Sequence, residues 1–308
     1  MQSLFTLSIL QTAAETGCIY ALVALALFIS FSILNIADLT TDGCYTLGCA
    51  VGGMMCLAGH PILALPAALL AGACAGFCTA FLQTKLGVES ILAGIIVNTG
   101  LYTINIIVMG FTSVVNVFGK DTLFGYAKDL TAGTFLEPWY KVIVVLIVVL
   151  LVALFLAWFL NTRIGLSIRA TGDNTAMVKA SSINPGFMIT VGLCVANSLT
   201  ALAGCLIVQY QKSCDINIGT GMVTIALASL IIGETIIGKG GIFKRVIGVI
   251  IGSCLYRLLM AVAIRLHVPA ECLKLVSAVI VAIAIAMPYL KSKAGFYKMR
   301  AERRKGNA

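Results

Sequence analysis

Trp139-Tyr140-Lys141-Val142-Ile143-Val144-Val145-Leu146-Ile147-Val148-Val149-Leu150-Leu151-Val152-Ala153-Leu154-Phe155-Leu156-Ala157-Trp158 decides the fold class. From one tryptophan to the other, at about 1.5 Å per residue, such a helix covers roughly the hydrocarbon thickness of a bilayer. Tryptophans at both ends suit the two interfacial belts. With no glycine and a full-turn apolar surface, this segment is expected to face lipid.

The rest of the chain follows the same pattern. Of 308 residues, 60% are apolar and 11% charged, well under the roughly 25% charged usual for soluble domains. Apolar runs fall near 8–34, 43–58, 61–83, 88–111, 138–160, 185–208, 221–238, 246–264 and 270–290. The expected fold is an all-α polytopic membrane bundle of about eight or nine transmembrane segments, with 221–238 short enough to be re-entrant. A transmembrane domain over 1–290 would end in a basic cytoplasmic tail over 291–308. Pro61, Pro138, Pro185 and Pro269 each stand where a helix would start, since proline at the first helical position loses no useful N–H. Asn184 suits the cap before Pro185. The stretch Gly43 to Gly76, rich in glycine, is expected to pack tightly against other helices.

Charge sets the sides. Lys and Arg outnumber Asp and Glu by 21 to 12, and the excess gathers in 161–184, in Lys239, Lys244 and Arg245, and in a tail holding Lys291, Lys293, Lys298, Arg300, Arg303, Arg304 and Lys305. By the positive-inside rule these segments are cytoplasmic. Segment 112–137 is balanced and belongs outside. Nine crossings with an external N-terminus and a cytoplasmic C-terminus satisfy all of these. A tail this short offers no folded basic surface for nucleic acid. The first basic residue is Lys85, so the first span lacks the charged start of a secretory signal and is expected to remain in the mature protein.

Catalytic signatures are missing from the sequence. It holds no phosphate-binding Gly-x-x-x-x-Gly-Lys-Ser/Thr loop, no nucleophile elbow and no His/Glu metal pair. The 11 cysteines lie at helical spacings within apolar runs, beside only two histidines, and read as small packing residues. No metal site is expected. Polar residues in or beside the spans are the candidates for function, because such groups are costly in hydrocarbon and usually face a bundle interior or a wet path. Glu15, Asn35, Asp38, Asp42, Glu89, Asn98, Asn105, Asn197 and Glu234 qualify. The cluster Asn35-Ile36-Ala37-Asp38-Leu39-Thr40-Thr41-Asp42-Gly43 interrupts a long apolar region. Two readings account for it: a solvated turn with Asp42 capping the next helix, or a broken helix lining a path. For the substrate path, Asn35, Asp38, Asp42, Asn98 and Glu234 are the candidates.

The segment Thr162-Arg163-Ile164-Gly165-Leu166-Ser167-Ile168-Arg169-Ala170-Thr171-Gly172-Asp173-Asn174-Thr175-Ala176-Met177-Val178-Lys179-Ala180 is too polar to span. Asp173 or Asn174 can cap a short helix running through Ala180, lying along the cytoplasmic surface. Together with Ala196-Asn197-Ser198-Leu199-Thr200-Ala201-Leu202-Ala203-Gly204, with Gly17-Cys18-Ile19-Tyr20-Ala21-Leu22-x-Ala24-Leu25 leading to Asn35-Ile36-Ala37, and with Ala226 to Gly241 leading to Gly248 and Gly252, this segment resembles ATP-binding cassette importer permeases of the branched-chain amino acid and ribose type. The resemblance covers about 15–260. The pattern is closest to a subgroup associated with amino-acid uptake, aromatic amino acids included. Asp38, and Glu234 where many members have a second glycine after Gly233, depart from the family's usual pattern.

The resemblance implies the non-catalytic membrane subunit of an ATP-driven importer in the bacterial cytoplasmic membrane, working by alternating access. It implies a second copy of the chain, a cytoplasmic ATP-binding subunit carrying ATP and Mg, and an extracellular or lipid-anchored substrate-binding protein. No cofactor is expected on this chain. Arg163, Gly165, Arg169, Gly172, Asp173, Asn174, Met177 and Lys179 would form the loop that couples to the ATPase. The alternatives are an importer of the same family for a sugar or nucleoside, and an ion-coupled secondary transporter using Glu15, Asp38, Glu89 and Glu234 as ion sites near the midplane.

Overall fold

A computed structural model describes residues 7–133, 137–238, 240–265, 272, 275–283 and 286. Helix α1 (Leu7–Leu27) runs on into a π-helical turn, Phe28–Ile33. Then come α2 (Thr41–Leu57), α3 (Ala64–Thr84), α4 (Ser90–Val108), β1 (Val114–Asn116), α5 (Leu123–Thr131) and α6 (Tyr140–Phe159). They are followed by α7 (Arg163–Asp173), α8 (Thr175–Ala180), α9 (Pro185–Gln211), β2 (Ser213–Asp215), α10 (Met222–Ile237) and α11 (Ile242–Arg265), with a further helical stretch at 275–283. Among the described residues, six helical segments are long and apolar enough to cross a membrane: Ile9–Ile33, Ala64–Thr84, Ser90–Val108, Glu137–Phe159, Pro185–Gln211 and Ile242–Arg265. The apolar α10 is shorter.

Small residues at every fourth position build the centre. On α3 they are Ala64, Ala68, Gly72, Gly76 and Ala80, and on α2 Cys44, Gly48, Gly52 and Cys56, all buried. Both stripes press on α9. A methyl group on Gly72 would lie 2.4 Å from the Asn197 carbonyl oxygen, and one on Gly48 2.0 Å from that of Ala201. The helices therefore meet backbone to backbone, which is how helices associate where lipid removes the hydrophobic drive. The expectation of tight packing over Gly43 to Gly76 holds. In contrast, α6 buries only Val145, Val149, Ala153 and Leu156, one narrow stripe. Leu146, Leu150, Leu154 and Trp158 point outward, as its glycine-free sequence predicts for a lipid-facing helix.

These contacts also fix direction. Gly48 and Gly52 meet Ala201 and Cys205, so α2 runs parallel to α9; Gly72 and Gly76 meet Asn197 and Leu193, so α3 runs against it. One end of the bundle gathers Ile33, Leu34, Thr84, Gly172 and Gly186. At the other, β1 pairs antiparallel with β2, and Gln209 accepts from the Leu123 N–H at 2.8 Å. We call these the α7–α8 end and the β end.

Two helices start inside the bundle. The first turn of α2 lies beside the middle of α9, where the Cys44 thiol donates to the Asn197 carbonyl at 3.2 Å. Non-helical residues 35–40 lead into α2, and 216–221 lead into α10.

Several boundaries differ from the sequence reading. The loop 161–184 holds a full helix, α7, ahead of the expected short one, and the 112–137 excursion holds β1 and α5. Thr162 caps α7, its hydroxyl accepting the Gly165 N–H, and Gly165, Ile168 and Thr171 face inward. Pro185 does open α9, behind an Asn184 cap that accepts the Phe187 N–H at 3.3 Å. Pro61 lies instead in a turn ahead of α3, and Pro138 in a 3-10 turn (Glu137–Trp139) ahead of α6, so neither takes the first α-helical position. Pro269, Lys239, the tail 291–308 and most of 284–290 lie outside the described residues.

Candidate functional site

The broken segment after α1 turns back into the bundle. The π turn closes with the Leu34 N–H on the Ile29 carbonyl at 2.9 Å, and Asn35, at φ +56°, ends it in the left-handed region that Asn tolerates. Asp38, only 3% exposed, then acts as a local organiser. Its Oδ1 accepts the Thr40 N–H at 2.9 Å, a turn geometry typical of Asp. Its Oδ2 accepts from the Asn197 amide at 2.8 Å. The start of α2 is thereby tied to the middle of α9.

Asp42, in the first turn of α2, makes the longest-range link. Its Oδ2 accepts the Gly221 N–H at 3.0 Å and its Oδ1 the Val223 N–H at 2.9 Å. The residue preceding α10 is Gly221, at φ +86°, with no side chain to cap the helix. Asp42 supplies that cap from another helix, satisfying donors that a helix start leaves open. One carboxylate thus lies at the positive ends of two short helices. The approach needs a glycine at 219, where a methyl group would lie 2.0 Å from the Asp42 carbonyl oxygen.

Beside this junction is a polar cavity of about 420 Å³, lined by Asp42, Thr46, Asn98, Tyr102, Asn105 and Asn217 among others. Asn105 donates to the Gly43 carbonyl at 3.1 Å, while its Oδ1 is buried without a partner. The volume lies in the range of small-molecule pockets. Its walls offer donors, acceptors and one carboxylate, a set that fits a polar solute. Among the described residues no three His, Cys, Asp or Glu side chains converge as metal ligands.

Of the path residues read from sequence, Asp42 and Asn98 come together at this cavity. Asp38 is packed behind it, Asn35 is exposed at the α7–α8 end, and Glu234 lies away from it. The Glu234 carboxylate pairs with Arg245 and accepts from Ser32 at 2.9 Å, joining α10, α11 and the π turn. Glu15 is likewise held, accepting from Gln11 at 3.1 Å and Tyr210 at 2.8 Å, and Glu89 is an exposed residue just ahead of α4. Sequence reasoning gave Asn105 no place in the path, although it lies two turns from Asn98 on one face of α4. Asn217 and Thr220 carry no spacing signal, because an irregular segment brings them in.

At the α7–α8 end, α7 abuts the π turn that follows α1. A methyl group on Gly172 would lie 1.8 Å from the Ile33 carbonyl oxygen, and one on Gly165 2.2 Å from that of Phe159. Asn174 caps α8, its Oδ1 accepting the Ala176 and Met177 N–H groups at 3.0 and 3.1 Å. Val178 is buried, holding α8 to the bundle, while Met177 is 54% exposed. Arg163, Asp173 and Lys179 are also exposed, and Arg169 is half-buried. From Gly172 the path along the backbone to Asp42 is short, through Ile33, Leu34 and the 35–40 segment.

Residues 9–287 match the family model described as branched-chain amino acid transport system, permease component. The chain is 32% identical over 269 residues to the tyrosine transport system permease protein of Clostridioides difficile (strain R20291), covering 87% of each. It is 25% identical to the ribose import permease protein RbsC of Escherichia coli (strain K12), covering 91% of this chain and 85% of that one. A chain described as an inward-facing metal-chelate type ABC transporter has a similar fold, with a TM-score of 0.51 at 16% identity, over 92% of this chain and 85% of that one.

Proposed function

From a chain that belongs to the family of permease components of branched-chain amino acid transport systems, we propose the membrane subunit of an ATP-driven importer for an amino acid, of the aromatic class that includes tyrosine. The observation that carries a solute-conducting role is the cavity of about 420 Å³ at the Asp42 junction, where a carboxylate, three asparagines and several hydroxyls line a cleft that opens past the exposed Tyr102 face of α4. The choice of an amino acid over ribose follows the greater identity to the tyrosine permease.

The α7–α8 end is cytoplasmic in this reading. Arg163, Arg169, Lys179, Lys244 and Arg245 all gather there, in keeping with the positive-inside rule. The N-terminus is then external and the C-terminus cytoplasmic in the bacterial membrane. A separate ATPase, holding ATP and Mg, docks on α7 and α8, and two copies of the chain enclose the path. A substrate-binding protein delivers solute at the β end. Closure of the ATPase favours one of two states of the bundle only so far as it binds that state more tightly. Motion of α7 reaches Asp42 through the 35–40 segment.

An ion-coupled mechanism fits less well. Of its candidate ion sites, Asp38, Glu15 and Glu234 have their carboxylates engaged by protein donors, and Glu89 is exposed at the start of α4 rather than near the midplane. The test is uptake by liposomes holding the chain, the ATPase and the binding protein of its operon. Uptake of L-tyrosine that needs internal ATP is expected. Uptake driven by a proton or sodium gradient without the ATPase would overturn the importer reading, and uptake of ribose alone would overturn the amino-acid one.

A further inference from the structure

Arg245 and Arg257, both inside the span Ile242–Arg265, are treated differently by the bundle. Arg245 has a carboxylate partner, Glu234. Arg257, three residues beyond Cys254 where α11 packs on Gly17, has none among the described residues. Its guanidinium centre lies 3.4 Å from the centre of the Tyr20 ring, and its Nε is buried without a hydrogen-bond partner. Tyr20 in turn stacks on Tyr45, whose own hydroxyl is buried and unpartnered.

An intramembrane cation needs a counter-charge, and a ring face offsets only part of its lost hydration. Space for an anion adjoins the guanidinium. Arg257 lines a cavity of about 380 Å³ together with Thr220, Gly221, Thr224, Tyr256 and Ser277. Thr220 also lines the Asp42 cavity, so the two flank one irregular segment. The Tyr256 and Ser277 hydroxyls hydrogen-bond to each other at 2.7 Å, which leaves the guanidinium as the strongest donor facing that space.

We propose that Arg257 binds the carboxylate of the transported amino acid as it passes the bundle. This rests on the amino-acid reading above and adds the group that selects for it. A guanidinium offers a planar fork of donors that matches a carboxylate in a bidentate pair. A neutral sugar would leave the cation uncompensated. Tyr20, holding the guanidinium face, positions the fork toward the cavity.

The test is direct binding of radiolabelled L-tyrosine to the full-length chain with its ATPase in lipid nanodiscs, with L-tyrosine amide and tyramine as competitors. The expected result is that both competitors, which lack the carboxylate, compete at least tenfold less well than L-tyrosine. Arg257→Gln should weaken L-tyrosine at least tenfold and abolish its advantage over the amide. Arg257→Lys, keeping charge without the fork, should fall between. Binding of L-tyrosine that survives Arg257→Gln, or equal competition by tyramine on the unaltered protein, overturns the subsite and leaves the amino-acid importer standing. Binding of ribose alone, or of no solute, overturns both.

Discussion

Val223 donates its backbone N–H to Asp42 across 181 residues of sequence, at 2.9 Å. One side chain therefore fixes how two half-length helices meet. Asp42→Ala leaves the Gly221 and Val223 N–H groups without their acceptor and is expected to cost about 2 kcal/mol. Asp42→Asn keeps one acceptor oxygen and should recover part of that. Thermal melts of the purified protein in detergent check this, and an unchanged melting temperature for Asp42→Ala would show that the cap carries no stability.

The α3–α9 seam makes a sharper demand. A methyl group on Gly76 would lie 2.4 Å from the Leu193 carbonyl oxygen, whereas Gly100 on α4 has nothing within 4 Å. Gly76→Leu should destabilise by about 3 kcal/mol or more, because backbone cannot move aside as a side chain can. Gly100→Leu should stay within about 0.5 kcal/mol. Size-exclusion profiles of the two variants, expressed side by side, distinguish them.

These two cases mark what was legible in the sequence. Glycine at four-residue spacing signals close helix contact directly, so the tight packing of 43–76 could be read. Asp42 was recognisable as a polar residue in a broken helix, but the cap expected of it was on its own helix, α2, whose first turn holds it instead. That it caps α10 could not be read, because the pairing depends on tertiary placement of 216–221. Helix α7 was missed since its inward face is carried by Gly165, Ile168 and Thr171, too weak an apolar stripe. Arg257 escaped notice because a single arginine in an apolar run has no periodicity.

Glu234 shows the same limit, since its sequence suggests a path residue and its partner is a basic residue in the next helix. Both side chains of the Glu234–Arg245 pair are 23% exposed, so the coupling is expected at about 1 kcal/mol after solvent screening. A double-mutant cycle of Glu234→Gln and Arg245→Gln by thermal unfolding measures it. Glu234→Gln should lower stability while leaving the solute KM unchanged, and Asp42→Asn should raise KM. A raised KM in Glu234→Gln would return that carboxylate to the path.

Orientation is open to chemical labelling. Ser113, beside β1, and Ser182, after α8, are exposed at opposite ends of the bundle. Once exposed native thiols such as Cys74 and Cys78 are replaced, a membrane-impermeant thiol reagent added to intact cells should modify a cysteine at 113 and spare one at 182. The reverse pattern would place α7 and α8 outside and leave the ATPase no surface to dock on.

The last prediction concerns that docking surface. Val178 faces the bundle and Met177 faces away, so α8 is anchored by one residue and presents the next. Replacing Gly172 gives no clean test, because any side chain there strikes the Ile33 backbone and disturbs the π turn itself. Met177→Asp changes only the outward face. On a merely solvated helix it should cost less than about 0.5 kcal/mol and leave function intact. On a docked helix, burying a carboxylate against a partner should cost more than 1 kcal/mol of binding, at least a fivefold loss of affinity. The variant is therefore expected to fold, insert and bind solute as the unaltered chain does, yet to lose co-purification with the ATPase and substrate-stimulated ATP hydrolysis. Retention of both would make α8 a linker and move the coupling surface to α7, whose exposed Arg163 and Leu166 would be the next residues to change.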